Sequence, residues 1–475
     1  MISKPISIAW FRQDLRISDN PALNAAAAAG EVLPIYILDD VNAADWAMGA
    51  ASRTWLHHSL NALNLAVDGR LRIFRGDARE VVAQLATSLP LESVFWNRCY
   101  EPWRIERDAR IKADLIAGDI NTRSFNAALL WEPWDISKKD GTPYRVFTPF
   151  YQKGCLSALP PRQPLAPTQS IQWCKHEVDN SVSIDDLGLL PSASWHKSLC
   201  DHWQIGENAA AQKFDAFWQN TLTDYKRGRD FPALDATSKL SPHLHFGEIS
   251  PHQIWHQIDH SGMYDHGEGP AHFLREIAWR EFSYHLLYHF PRLPQQNFNR
   301  KFDGFQWLDQ QSGLQSWCSG RTGFPIIDAG MRELWQTGYM HNRVRMIVAS
   351  FLVKNMLQHW RKGENWFWDC LVDADLASNA ASWQWCAGSG ADAAPYFRIF
   401  NPVLQSEKFD PEGEYLLRYC PELAGLPARF RHKPWEASEA VLAAAGIKLG
   451  RDYPAPILDL KTTRQRALAR FKALA

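Results

Sequence analysis

The chain has 475 residues, 46% hydrophobic and 22% charged, with a formal net charge of −1. That length gives room for two or three domains with an ample core, and the balance is that of an ordinary globular protein. Near-neutrality excludes a globally basic nucleic-acid binder, so any DNA-binding surface has to come from local clusters of Arg and Lys.

The chain opens with MISKPISIAWFRQDLR, in which Lys4, Pro5, Arg12 and Asp14 interrupt any apolar signal segment. Over residues 1–130 short apolar strands alternate with helix-like stretches. Ile6–Phe11, Val32–Leu38, Leu71–Phe74, Ser93–Trp96 and Asn121–Phe125 are the expected strands, and Arg53–Val67 is an expected helix. Alternation of this kind predicts an α/β domain with a doubly wound parallel sheet and a ligand cleft at the carboxyl ends of its strands. The turn after the first strand reads FRQDLR, so the ordinary glycine-rich dinucleotide fingerprint is missing.

Residues 131–204 read as a connector, broken by prolines at 133, 143, 149, 160, 161, 164, 167 and 191. From 205 to 475 the pattern predicts an all-α domain. Gln212–Leu222, Gly269–His289, Pro325–Gly338, Arg343–Gln358, Asn365–Leu371 and Thr462–Ala475 carry apolar residues at helical spacing. The longest apolar stretch, Met346–Val353, is far short of the ~18 residues of a membrane helix. The eight cysteines are scattered, with neither CxxC pairs nor zinc-ligand spacing. A soluble cytoplasmic protein with free thiols, no metal and no membrane partner is the expectation.

Four constellations in the helical half carry candidate chemistry. Thr237–Ser241 (TSKLS) offers hydroxyls, free N–H groups and Lys239 ahead of a helix start, a pattern shared by phosphate sites and ordinary caps. In REIAWRE, Glu276, Trp279 and Arg280 fall on one helical face, which also suits a surface ion pair beside a core Trp. In MHNRVRM, Asn342, Arg345 and Met346 do the same, and an Asn amide suits the edge of a heterocycle. In DADLASNAASWQW, Asp373, Asp375, Asn379, Trp383 and Trp385 crowd into one short segment. Buried carboxylates and amides are costly without partners, and tryptophans beside them suit a flat, π-rich ligand. GSGADA, further on, matches GxGxxA but follows no predicted strand and is rejected as a dinucleotide loop.

Together YKRGRDFP, TSKLSPHLHFGEISP, REIAWREF, GYMHNRVRM and DADLASNAASWQW, with WFRQDLRISDNPAL near the start, resemble the DNA photolyase and cryptochrome flavoproteins, most closely the class I cyclobutane pyrimidine dimer photolyases. The resemblance implies an all-α FAD-binding domain and light-driven repair of pyrimidine dimers in DNA. It places Tyr225, Thr237, Ser238, Leu240 and Ser241 at the pyrophosphate end of FAD. Phe273, Glu276, Arg280, Asn342, Arg345, Asp373, Asp375 and Asn379 would line the flavin and adenine pocket. Glu276 and Asn342 would hydrogen-bond the flipped bases, between apolar walls of Trp279, Met346 and Trp385. Trp307, Trp360 and Trp383 match the family's electron-transfer tryptophans, and Arg229, Arg343 and Arg398 match phosphate contacts. Phe273 and Tyr339 stand where many members have Trp.

A second, antenna chromophore is implied as well, a folate or a deazaflavin. Glu101 matches a folate contact, whereas Pro294 and Gln295 depart from some folate binders, so its identity stays open. The absence of a long C-terminal extension favours repair over cryptochrome signalling. His341–Asn342, in place of a His pair, argues against a (6-4) photolyase. A monomer is expected.

Overall fold

The strand β1 (Ile6–Phe11) is buried along its whole length, as a run without polar alternation requires when both faces of a sheet are covered. The computed structural model describes residues 5–168, 170–260, 262, 267–308, 311–393 and 397–474. They divide into two units. The first comprises Met1–Thr223, Ser238–Pro291 and Val372–Ala377; the second comprises Asp224–Thr237, Arg292–Leu371 and Ser378–Ala475.

In the first unit β1 is followed by α1 (Pro21–Ala29), β2 (Glu31–Leu38), α2 (Ala50–Ala66), β3 (Arg72–Arg75), α3 (Ala78–Ser88), β4 (Leu91–Asn97), α4 (Pro102–Ala117) and β5 (Asn121–Phe125). The five strands are parallel, in the order β3-β2-β1-β4-β5. Side chains alternate across the sheet. Ala9, Phe11, Val32, Tyr36 and Phe95 pack with Leu23 of α1 and Trp55 of α2. Ile8, Trp10, Leu33, Ile35 and Trp96 pack with Val82 of α3 and Ile111 of α4. Helices therefore cover both faces, and the doubly wound α/β architecture expected from the sequence is present.

Part of the connector completes this sheet. Val32 N–H donates to Gln172 O at 2.8 Å, and Cys174 N–H returns a bond to Val32 O at 2.8 Å. β3 pairs with β2 only from Ile35 onward, so the first half of β2 would otherwise present an open edge. Pro34 fits the same edge. Its missing N–H would point the way Val32 N–H does, where β3 has not yet begun. The unit also contains α5 (Pro251–His260) and the long helix α6 (Glu268–His289).

The second unit is helical among the described residues. Its main elements are α7 (Pro325–Thr337), α8 (Asn342–Ser350), α9 (Trp360–Cys370), most of α10 (Leu376–Ala387) and α11 (Leu460–Lys472). The single helix expected over 343–358 is divided: α8 passes into a π turn at Phe351–Asn355. Apolar spacing over so few residues does not separate i→i+4 from i→i+5 pairing. α9 begins at Trp360, ahead of the expected Asn365. Its N-cap is His359, whose Nδ1 accepts from Arg361 N–H at 3.2 Å, and His341 caps α8 through Arg343 N–H in the same way. Histidine is outside the usual capping set, so no start signal was legible there.

α7 and α8 pack closely through Gly330, where an added Cβ would lie 2.4 Å from Val344 Cγ1. No described helix is long and apolar enough to cross a membrane.

Candidate active site

In the first unit, TSKLS ends at a single helical turn, Ser241–His245, preceded by irregular chain. Lys239 has φ +50°, uncommon for a residue with a long side chain. Strained backbone of this kind concentrates where a chain is shaped around a ligand. Ser238 Oγ accepts from Leu240 N–H at 3.4 Å, and the exposed Ser241 donates its hydroxyl to Asp373 Oδ2 at 2.5 Å. The structure thus joins two motifs that lie far apart in the chain.

Asp375 sits beyond Asp373 and is buried. It accepts a hydrogen bond from the Tyr284 hydroxyl and lies 3.9 Å from His245 Nδ1. Burial by itself would raise its pKa. His245, Arg280 and Tyr284 outweigh that and hold the carboxyl well below the usual range. On α6, Glu276, Trp279 and Arg280 are all half-buried and share the expected face. Trp279 stacks flat on Phe147, with ring centroids 3.8 Å apart and planes 8° apart. Arg280 donates to Ala128 O at 2.6 Å and lies over the Tyr284 ring at 5.0 Å. Phe273 is buried against Phe217.

Phe147, Tyr284 and Glu281 are partners that sequence reasoning did not single out. Glu281 accepts from Leu130 N–H at 2.9 Å and from Trp131 N–H at 3.4 Å. Burial pushes its carboxyl up to about 8, against the opposing pull of Arg280 and those N–H groups.

The second unit holds the remaining candidates. Thr237 is half-buried, and Tyr225 is buried with the Arg229 guanidinium 5.5 Å from its ring centroid. Asn342, Arg345 and Met346 lie on the outer side of α8, while Val344, Ile347 and Val348 turn into the core. Arg345 donates to Met340 O at 2.7 Å and covers the Tyr339 ring at 5.1 Å. Arg343 pairs with Asp230 at 2.5 Å and stacks over Phe409 at 4.4 Å. Arg398 is exposed.

On α10, the buried Asn379 donates to Glu364 O at 3.1 Å, and Trp385 Nε1 donates to Asp392 O at 3.2 Å. Trp383 is buried against Phe367, with ring centroids 5.0 Å apart. Trp360 Nε1 donates to Asn297 Oδ1 at 2.9 Å. The His359 ring bridges Trp360, at 5.6 Å, and the half-buried Trp307, at 5.2 Å. The three expected electron-transfer tryptophans therefore share one unit, two of them linked through an intervening ring.

The cleft expected in the α/β domain is also present. A cavity at the carboxyl ends of β1 and β2 and the start of α4 is lined by Trp10, Arg12, Asp39, Asp40, Trp103 and Arg104, among others. Indoles that can stack beside guanidinium and carboxylate groups suit a second flat, polar-edged molecule. Glu101, the N-terminal cap position of α4, is buried and 3.6 Å from Arg104.

Residues 7–169 match the DNA photolyase model, and residues 273–473 match the FAD-binding domain of DNA photolyase. A deoxyribodipyrimidine photo-lyase of Agrobacterium fabrum is 47% identical over 98% of this chain and 98% of its own. The chain belongs to the DNA photolyase family. The corresponding enzyme of Escherichia coli is 37% identical over 98% of both chains. Cryptochrome-1 of Arabidopsis thaliana is 38% identical over 97% of this chain and 69% of its own. A class III photolyase from Agrobacterium tumefaciens superposes with a TM-score of 0.94 at 47% identity, covering 100% of this chain and 98% of that one. This corrects the class I likeness expected from the motifs.

The family's FAD-binding domain makes FAD the cofactor of this photolyase relative. The donor set fits it. Within the first unit, the hydroxyls of Ser238 and Ser241 beside Lys239 are of a kind that suits a pyrophosphate, and the ionised, hydrogen-bonded Asp375 is of a kind that suits a polar ring edge.

Proposed function

We infer that this photolyase-family protein is a light-dependent enzyme that splits cyclobutane pyrimidine dimers in DNA, acting on a lesion flipped out of the duplex, as base-flipping enzymes do. The observation that carries this reading is the 47% identity, over nearly the full length, with a deoxyribodipyrimidine photo-lyase. When bound and reduced, FAD would lend the lesion an electron on absorbing light and take it back once the ring has split, so that the cycle is redox-neutral.

The chain's own residues bind and orient. Tyr225, Thr237, Ser238, Leu240 and Ser241 hold the pyrophosphate end of the cofactor. Phe273, Arg280, Arg345, Asp373, Asp375 and Asn379 line its rings, together with Glu276 and Asn342. Glu276 and Asn342 also hydrogen-bond the flipped bases, and Trp279, Met346 and Trp385 exclude water around them. Holding Trp279 flat on Phe147 fixes that wall before the lesion arrives, which lowers the ordering cost of binding. Arg229, Arg343 and Arg398 contact phosphates. Trp307, Trp360 and Trp383 conduct electrons toward oxidised flavin. The cavity at Trp10 and Trp103 takes the antenna chromophore, a folate or a deazaflavin. The same proposal divides the chain into an antenna-type module at 1–130, a connector at 131–204 and the FAD-binding module at 205–475, acting as a cytoplasmic monomer.

The test is to incubate reduced protein with dimer-containing DNA in light and in darkness and to follow loss of the dimer. Loss in light alone supports the proposal; equal loss in both, or none, overturns it. Glu276→Ala should lower repair yield while FAD stays bound, and loss of flavin would show that its role was misassigned. The identity with Cryptochrome-1 favours a signalling reading as the second candidate, and absence of repair with FAD retained would point to it.

A further inference from the structure

On α5, His256, Asp259 and His260 fall at i, i+3 and i+4, one face of the last turn. Each offers a ligand atom within 4.8 Å of those of the other two. None of the three belongs to the flavin, lesion or phosphate sets.

The hydrogen bonds around the two imidazoles fix their protons. A carbonyl oxygen only accepts, so a ring nitrogen facing one carries the hydrogen. His256 Nε2 lies 3.0 Å from Pro161 O and 2.9 Å from Arg162 O, which leaves the lone pair on Nδ1. His256 is 5% exposed, and its Nδ1 is buried without a hydrogen-bond partner. His260 Nδ1 lies 2.9 Å from His256 O, which leaves its lone pair on Nε2. Each ring thus donates one N–H to a backbone carbonyl and keeps the other nitrogen basic. Metal-binding histidines are held in the same way. The location adds to this, because the carboxyl end of a helix is the negative end of its dipole and favours a cation.

We propose that His256, Asp259 and His260 form a binding site for a divalent transition-metal ion of zinc-like preference. Two imidazoles and one carboxylate suit Zn2+, with water completing its shell. The ion would satisfy the orphaned His256 nitrogen. Through the same ring it would tie the end of α5 to the chain at Pro161–Arg162. Its role is structural, since binding to the folded form alone stabilises that form.

The test uses the FAD-loaded protein, stripped with EDTA and titrated with Zn2+ against a chromophoric chelator. His260→Ala and Asp259→Asn are the variants, because both residues are exposed, whereas His256 also anchors the connector. The wild type should bind one Zn2+ per chain at micromolar concentration and gain melting temperature. His260→Ala should bind more weakly by about tenfold or more and lose the thermal gain. Asp259→Asn should fall between the two. Light-driven repair by the variants should match the wild type. X-ray absorption of the loaded protein should show imidazole nitrogen and no sulfur. A wild type that binds no Zn2+, variants that bind as tightly as it does, or a sulfur shell from the cysteines would each overturn the proposal.

Discussion

The phenolic hydroxyl of Tyr284 on α6 donates a hydrogen bond to the carboxylate of Asp375, and both side chains are buried. Asp375 is ionised at neutral pH because its partners outweigh the cost of burying it. A carboxyl whose folded pKa lies below the ordinary value stabilises the fold fully above the unfolded pKa of about 4, and that contribution fades as the pH falls toward the folded value. Asp375→Asn should therefore flatten the acid limb of a stability-against-pH curve below about pH 4, measured by urea unfolding. Tyr284→Phe removes a donor from a buried charge and should cost about 1–3 kcal/mol. Flavin retention should fall in both. An unchanged acid limb in Asp375→Asn would refute the assignment of the ionised form.

The two histidine caps give a second pH dependence of the same sign. His341 and His359 accept N–H bonds through Nδ1, which only a neutral ring can do. Burial lowers both to about 4, helped by Arg343 near His341 and by Arg361 near His359. The caps are therefore intact above the unfolded histidine pKa of about 6.5 and are lost as the pH falls from there toward 4. Asn at position 359 caps without titrating. His359→Asn should leave stability at pH 7 within about 1 kcal/mol and reduce its decline between pH 6.5 and 4. Urea unfolding at several pH values checks this.

These caps also mark where the sequence was legible and where it was not. β1, β2 and β4 could be read because buried parallel strands are near-continuous apolar runs, whereas the edge strand β5 (NTRSF) is partly exposed and carries no such run. Helix starts could be read where a residue such as Pro stands, as at Pro325, the first residue of α7. They could not be read where His takes that role. The flat stack of Phe147 on Trp279 and the Tyr284–Asp375 bond are tertiary events between distant segments, for which periodicity carries no signal. Lys239 is not a turn-forming type, so its positive φ was invisible as well. The candidate roles of Glu276 and Asn342 came from motif resemblance, because spacing alone suits a surface pair equally well.

Arg343 offers a test of the proposed phosphate contact in two directions. Its guanidinium already pairs with Asp230 at 2.5 Å, and both side chains are partly solvated. Arg343→Ala should weaken binding to dimer-containing DNA and reduce the salt slope by about 1. Asp230→Asn removes the competing carboxylate and should strengthen binding at low salt. Fluorescence anisotropy across a salt series measures both. If Asp230→Asn weakens binding, the aspartate is positioning the arginine rather than competing for it.

The proposed tryptophan path offers the last test. Gly363 lies on α9, and a Cβ there would meet Trp383 Cη2 at 2.1 Å. No rotation of a methyl group relieves that contact, so Gly363→Ala must push the indole or the helix aside, at a cost of about 1–3 kcal/mol. Trp360→Phe keeps the aromatic packing but removes the redox-active indole and its bond to Asn297. Both variants should slow photoreduction of oxidised flavin. With chemically reduced flavin, Trp360→Phe should repair dimers at the wild-type rate, since the proposed path serves only to reduce oxidised flavin. Equal slowing of repair in reduced and oxidised preparations would mean that Trp360 supports the fold of the cofactor pocket instead of conducting through it.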